Sequence, residues 1–125
     1  MAAQFQNFHQ RLVENSVLAP NNECLLWTGP KRGHYGSFNY LDEGENKWRR
    51  KTAHRMSYIV YVALDMQLTS ELDCSHLCHN TLCVNSKHIC LEPRYVNNYR
   101  KTCKSSNVCS GHGDYPNCLL NLVMA

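Results

Sequence analysis

Between Asp73 and Asn98 the chain reads DCSHLCHNTLCVNSKHICLEPRYVNN, a stretch holding four of the eight cysteines, three of the seven histidines and four asparagines. Cys78, Cys83 and His88 recur with four residues between each. Thiols and an imidazole at such intervals read first as metal ligands. His76 stands just outside this run, and Asn97 follows it. A histidine and an asparagine flanking a metal-stapled loop can do chemistry on a phosphate. The tail adds Cys103, Cys109, His112 and Cys118, a C-x5-C-x2-H-x5-C pattern that is a complete Cys₃His set.

The central run supplies only three ligands, and structural zinc takes four. Cys24, Cys74 and Cys90 are the candidates for the fourth. Cys74 and Cys90 sit in short apolar runs beside the loop and serve equally well as packing residues. Cys24 has no obvious core partner and opens a strand that could pair beside the loop, so it is the choice.

These sites need elements to position them. Phe5, Phe8 and Leu12 make an apolar stripe, predicting an N-terminal helix that Val17 and Leu18 extend and that ends at Pro20-Asn21-Asn22. Cys24–Thr28 reads as a buried strand, Tyr35–Tyr40 as a second with Phe38 and Tyr40 on one face, and Lys47–Lys51 as a third, together a small antiparallel sheet. Thr52 is placed to cap a core helix whose apolar face is Met56, Ile59, Val60, Ala63 and Leu64. His54, in its first turn, reads as a packing or hydrogen-bonding residue. From Cys74 onward the pattern is strand, loop, strand, then a helix from Arg94 to about Thr102 with Pro93 in its first turn. The tail has little to bury beyond Leu119, Leu120, Leu122 and Val123.

A chain of 125 residues with this composition is thin for a self-supporting core, which calls for staples. The N-terminus lacks the basic and apolar regions of a secretory signal, and no run approaches the ~18 apolar residues of a membrane span. An intracellular chain with reduced thiols, bound to no membrane, is therefore expected, favouring metal over a disulfide framework. Six thiolates and two Zn²⁺ would lower the formal charge of +3 to about +1. Binding to a polyanion would then rest on local patches: Lys31, Arg32, Lys47, Arg49, Arg50, Lys51 and Arg55, and after the central stretch Arg94, Arg100, Lys101 and Lys104.

Ser75-His76-Leu77-Cys78-His79-Asn80-Thr81, followed by Cys83, Asn85, His88, Cys90, Asn97 and Cys103, resembles the His-Cys box homing endonucleases of the His-Me finger (ββα-metal, HNH-like) superfamily, over about residues 24–118. The resemblance implies an α+β fold: a small antiparallel sheet with helices and a zinc-stapled ββα-metal motif. Residues 1–125 would form one nuclease domain, with an N-terminal helix over 1–20, a DNA-contacting sheet over 24–52, the ββα-metal motif over 73–102 and a second zinc loop over 103–118. It implies that His76 is the general base and that Asn97 holds one catalytic Mg²⁺. Cys24, Cys78, Cys83 and His88 would hold one structural Zn²⁺, and Cys103, Cys109, His112 and Cys118 the other. The implied activity is hydrolysis of double-stranded DNA to 5′-phosphate and 3′-hydroxyl ends, with Lys31, Arg32, Lys47, Arg49, Arg50 and Lys51 as DNA contacts. Family members place a sheet arginine near the scissile phosphate, for which Lys47, Arg49 and Arg50 are all candidates here. Cutting both strands calls for a homodimer, although the family's long dimerising tail has no counterpart in a chain that stops seven residues after Cys118. KWRRK at Lys47–Lys51 is a candidate nuclear-entry signal. The alternative is a zinc-bound DNA- or protein-interaction module that does not cut.

Overall fold

The computed structural model describes residues 2–20 and 23–120. Helix α1 (Ala2–Glu14) leads into strand β1 (Ser16–Leu18), which pairs antiparallel with β2 (Leu25–Trp27). A separate antiparallel sheet follows, ordered β3 (Lys31–Arg32), β4 (Tyr35–Asp42) and β5 (Lys47–Thr52). Helix α2 (Ala53–Tyr58) widens into a π-type turn over Ile59–Ala63. Strands β6 (Leu72–His76) and β7 (Ile89–Pro93) form the third antiparallel pair, and α3 (Arg94–Ser106) follows directly. The last three elements are a ββα unit within an α+β fold.

Two packing centres differ in chemistry. Phe8 and Leu12 of α1, Trp27, Phe38 and Tyr40 of the strands, Ala53 and Met56 of α2, with Val60 and Val84, form one apolar core. Phe8 meets Phe38 and Tyr40 edge-on at 5.4 and 5.7 Å, the favoured arrangement of aromatic quadrupoles. Gly36 belongs to this core: a Cβ there would lie 2.5 Å from Trp27 and 2.8 Å from the Ala53 Cβ. The second centre is Ala19, Cys24, Cys78 and Cys83 with Leu26 and Leu119 against them, mostly thiol rather than hydrocarbon. Burial alone holds the first centre far better than the second.

Several sequence expectations give way to local chemistry. The N-terminal helix stops at Glu14, not at Pro20, because the Asn15 amide and the Ser16 hydroxyl donate to the Arg11 and Leu12 carbonyls of its last turn. Val17 and Leu18 then find strand partners in Leu26 and Leu25. Asn21 and Asn22 of the expected turn, and Leu122 and Val123 of the tail, lie outside the described residues. The region 24–52 is two sheets rather than one, since β2 pairs with β1 and not with β4. Thr52 sits at the cap of α2 without a side-chain cap bond. Leu64 is exposed: its backbone is left-handed (φ 53°), ending the helix and turning the side chain from the core. Pro93 ends β7 with extended backbone, and α3 runs past Thr102 to Ser106, so Cys103 is a helical residue.

Candidate functional site

The loop between β6 and β7 has few apolar side chains and is fastened by hydrogen bonds. The Asn80 carboxamide accepts from Leu82 N–H, and Asn85 accepts from Lys87 N–H while donating to the Glu23 carbonyl. Trp27 N–H donates to Leu82, and Val84 N–H donates to Leu25. These last two bonds lay β2 along the loop and bring Cys24, just before β2, to Cys78, Cys83 and His88.

The four candidate ligand atoms there lie within 4.8 Å of one another, all on buried residues. Cys24 Sγ and Cys83 Sγ stand 3.6 and 3.5 Å from His88 Nδ1. A tetrahedral zinc site, with Zn–S near 2.3 Å and Zn–N near 2.0–2.1 Å, has a sulfur–nitrogen edge of about 3.6 Å. Electrostatics agree. Burial pushes Cys24 up to about 12, while hydrogen bonding between Cys78 and Cys83 raises the former and lowers the latter to about 5. Three crowded thiols cannot all ionise without a cation among them, and a divalent metal supplies it.

The second set repeats the geometry on α3 and the tail: Cys103, Cys109 and Cys118 Sγ lie 3.5, 3.3 and 3.5 Å from His112 Nε2. The two Cys₃His clusters thus fit two zinc ions. Cys74 and Cys90 belong to neither. Cys74 is buried in β6, where its carbonyl meets His54 Nε2 at 2.9 Å, and Cys90 is half-buried in β7.

His76 ends β6, and Asn97 lies in the first turn of α3. Both line one cleft of about 570 Å³, together with Tyr35, His54, Asp73, Arg94, Lys101 and Lys104 among others. His76 Nε2 lies 2.9 Å from the Cys83 carbonyl. A carbonyl only accepts, so Nε2 carries the proton and Nδ1 the lone pair. Burial, reinforced by His79 and His88, lowers His76 to about 4. The His54 ring stands 4.0 Å from it, with Tyr35 stacked on His54 at 5.6 Å. His54 is itself lowered to about 3, by burial first and then by His76. Both imidazoles are therefore neutral at physiological pH.

Asn97 Nδ2 donates to Asp73 Oδ2 at 3.0 Å, and Arg94 donates to both Asp73 oxygens. Burial opposes ionisation of Asp73, but the bonds from Asn97 and Arg94 outweigh it and hold the carboxyl below its ordinary range. The buried Arg100, which also lines the cleft, bonds Glu92 at 2.7 and 2.8 Å and reaches Cys118 Sγ at 3.3 Å.

The expected DNA-contacting residues are not gathered on one face. Lys47, Arg49 and Lys51 share the β4–β5 face of Phe38 and Tyr40, which packs on α1, whereas Arg50 and Trp48 share the other with Asn39 and Leu41. Arg49 is engaged by Asp42 and Glu45. Lys31 and Arg32 are exposed on β3, Arg32 opposite Tyr35 at the cleft mouth. None of Lys47, Arg49 and Arg50 lines the cleft; its cations are Arg55, Arg94, Arg100, Lys101 and Lys104. Arg55 is spent on the Leu72, Leu68 and Thr69 carbonyls. The helical spacing of Arg94, Asn97, Lys101 and Lys104 was the available signal for a cleft-facing stripe. Nothing in sequence spacing pointed to Tyr35 or Asp73.

A family model described as the zinc-binding loop region of homing endonuclease matches residues 36–120, more than half of the chain. No curated protein and no solved structure matches it. Among the described residues, no helix is long and apolar enough to cross a membrane.

Proposed function

The chain belongs to the family of homing-endonuclease zinc-binding loop regions, and from that premise we propose that it is a Mg²⁺-dependent endonuclease of double-stranded DNA, homing in type, acting as one domain over residues 1–125. Cys24, Cys78, Cys83 and His88 hold one structural zinc, and Cys103, Cys109, His112 and Cys118 hold the other. The observation that carries the reading is the shared cleft of His76 and Asn97. His76 is the general base. Its Nε2–H is engaged by the Cys83 carbonyl, which fixes the tautomer and leaves Nδ1 to take a proton from water. The zinc loop and β7 hold that ring in place.

Asn97 is the protein ligand for Mg²⁺. With its Nδ2 committed to Asp73, its Oδ1 makes no hydrogen bond among the described residues and is the kind of hard oxygen donor this ion takes. When bound, the cation supplies charge for the departing 3′-oxygen, giving 5′-phosphate and 3′-hydroxyl ends. Lys101 and Lys104 flank the cleft and suit the phosphates on either side. Arg32, Arg50 and Trp48 lie on the side of the sheet that could face a groove, with Lys31, Lys47, Arg49 and Lys51 near the backbone. Cutting both strands requires two copies, so the working form is a homodimer, and in a eukaryotic cell the nucleus is the place of action.

The test is plasmid cleavage with Mg²⁺. The wild-type protein nicks or linearises DNA. His76→Ala abolishes cutting while leaving bound zinc and DNA affinity near wild type. A mutant that cuts at the wild-type rate removes His76 as the base, and a wild-type protein that binds without nicking is an interaction module.

A further inference from the structure

Asp73 has no part in the chemistry above, yet it touches the residue on which the cation depends. It sits on β6, the strand that ends in His76, with its side chain 18% exposed. One oxygen takes Asn97 Nδ2 at 3.0 Å, and Arg94 Nη2 reaches the other at 3.2 Å. An ionised carboxylate only accepts hydrogen bonds. The end of the Asn97 amide that faces it must therefore be the NH₂, because the oxygen in that place would set lone pair against lone pair. The amide oxygen is thereby turned to the opposite side.

We propose that Asp73 is a positioning residue that fixes the rotamer of the Asn97 amide, presenting its oxygen to the cleft for a divalent cation. The proposal rests on the nuclease reading. It also gives one carboxylate two tasks, since the same group ties the strand of His76 to the helix of Asn97. Arg94, whose side chain is 71% exposed, also bonds Asp73, through Nη2 to Oδ1 and through Nε at 3.4 Å to the oxygen that takes Asn97, but makes no hydrogen bond to the amide itself among the described residues. That separates the two tasks experimentally.

Cation binding is measured apart from turnover. The His76→Ala protein is held on a duplex selected from a random library by its own retention, and titrated with Mn²⁺ while free ion is followed by electron paramagnetic resonance. In that background Asn97→Ala weakens Mn²⁺ binding. Asp73→Asn keeps the size but offers an amide that can face Asn97 by either end. It weakens binding ~10-fold, the scale of losing a partner that orients a metal ligand. Arg94→Ala stays within about twofold. Unchanged Mn²⁺ affinity in Asp73→Asn overturns the proposal. So does an equal loss in Arg94→Ala, which would mean that the carboxylate only ties strand to helix. If Asn97→Ala itself binds Mn²⁺ like its parent, the cation reading of the nuclease fails and takes this proposal with it, an outcome distinct from the other two. Should Asp73→Asn lose its zinc, the wild-type protein gives the answer: the Asn97 side-chain amide protons exchange with water more slowly than those of exposed Asn98, and equal rates overturn the assignment.

Discussion

Burial strips the His76 imidazolium of its hydration, and His79 and His88 make that charge still less favourable, while the Cys83 carbonyl opposes them only in part. The sign follows directly. A histidine lowered to about 4 stays neutral as pH falls through the ordinary histidine range near 6.5. We expect kcat/KM for DNA cleavage to hold within about twofold from pH 7 down to about pH 5, where an ordinary histidine base would lose about tenfold per unit below 6.5. A pH profile at fixed Mg²⁺ and salt checks this, and a half-maximal rate near 6.5 would mean that His76 is not the base in its buried state. At this scale much was legible. His76, Asn97 and the ligand residues have side chains whose chemistry is visible in their letters, and the loop spacing groups most of them. Asp73 and Tyr35 were not legible, because their importance comes from what they touch: Asp73 meets Asn97 from 24 positions away.

Helix α3 carries most of the cleft's accessible positive charge. Arg94, Asn97, Lys101 and Lys104 line the cleft, with Val96 and Cys103 buried on the other side and the buried Arg100 between the two. Two exposed lysines beside the cleft act on a polyanion as point charges, without reading bases. Replacing Lys101 and Lys104 together by Ala should weaken DNA binding alike across sequences and lower the slope of log affinity against log salt by about 2. Fluorescence anisotropy over a salt series measures it, and an unchanged slope would place the phosphates elsewhere. Pro93 foretold the start of α3 well, but the expected end near Thr102 missed its last turn, where Cys103 sits. Strand partners were harder. A short strand such as Leu25–Trp27 has no letter that says whether it will join Ser16–Leu18 or Tyr35–Asp42, and only the closed chain decides. The early end of α1 was invisible because side-chain to backbone bonds override an apolar stripe, and the left-handed Leu64, whose N–H closes onto the Ile59 carbonyl, is marked by no residue type.

Across the whole molecule, hydrocarbon and thiol divide the labour. The aromatic core joins α1, α2 and the central sheet, while the loop, the segment leading into β2 and the tail meet around cysteines. Apparent zinc binding at structural sites is worth about 10–16 kcal/mol near neutral pH, comparable to the whole stability of a small domain. A chelator strong enough to strip both ions should therefore collapse the far-ultraviolet circular dichroism of the protein, and returning zinc should restore it. A native spectrum after stripping would mean that the apolar centre suffices.

Cys24 and His88 are 64 positions apart in the chain, whereas the other set closes within the short span from Cys103 to Cys118. On a ribosome this sets a timetable. The first set is complete only once His88 has followed Cys24 out, 64 positions later, while the second can close as a small loop as soon as it leaves the exit tunnel. We expect the first set to wait longer for its zinc, from first ligand made to last, than the second.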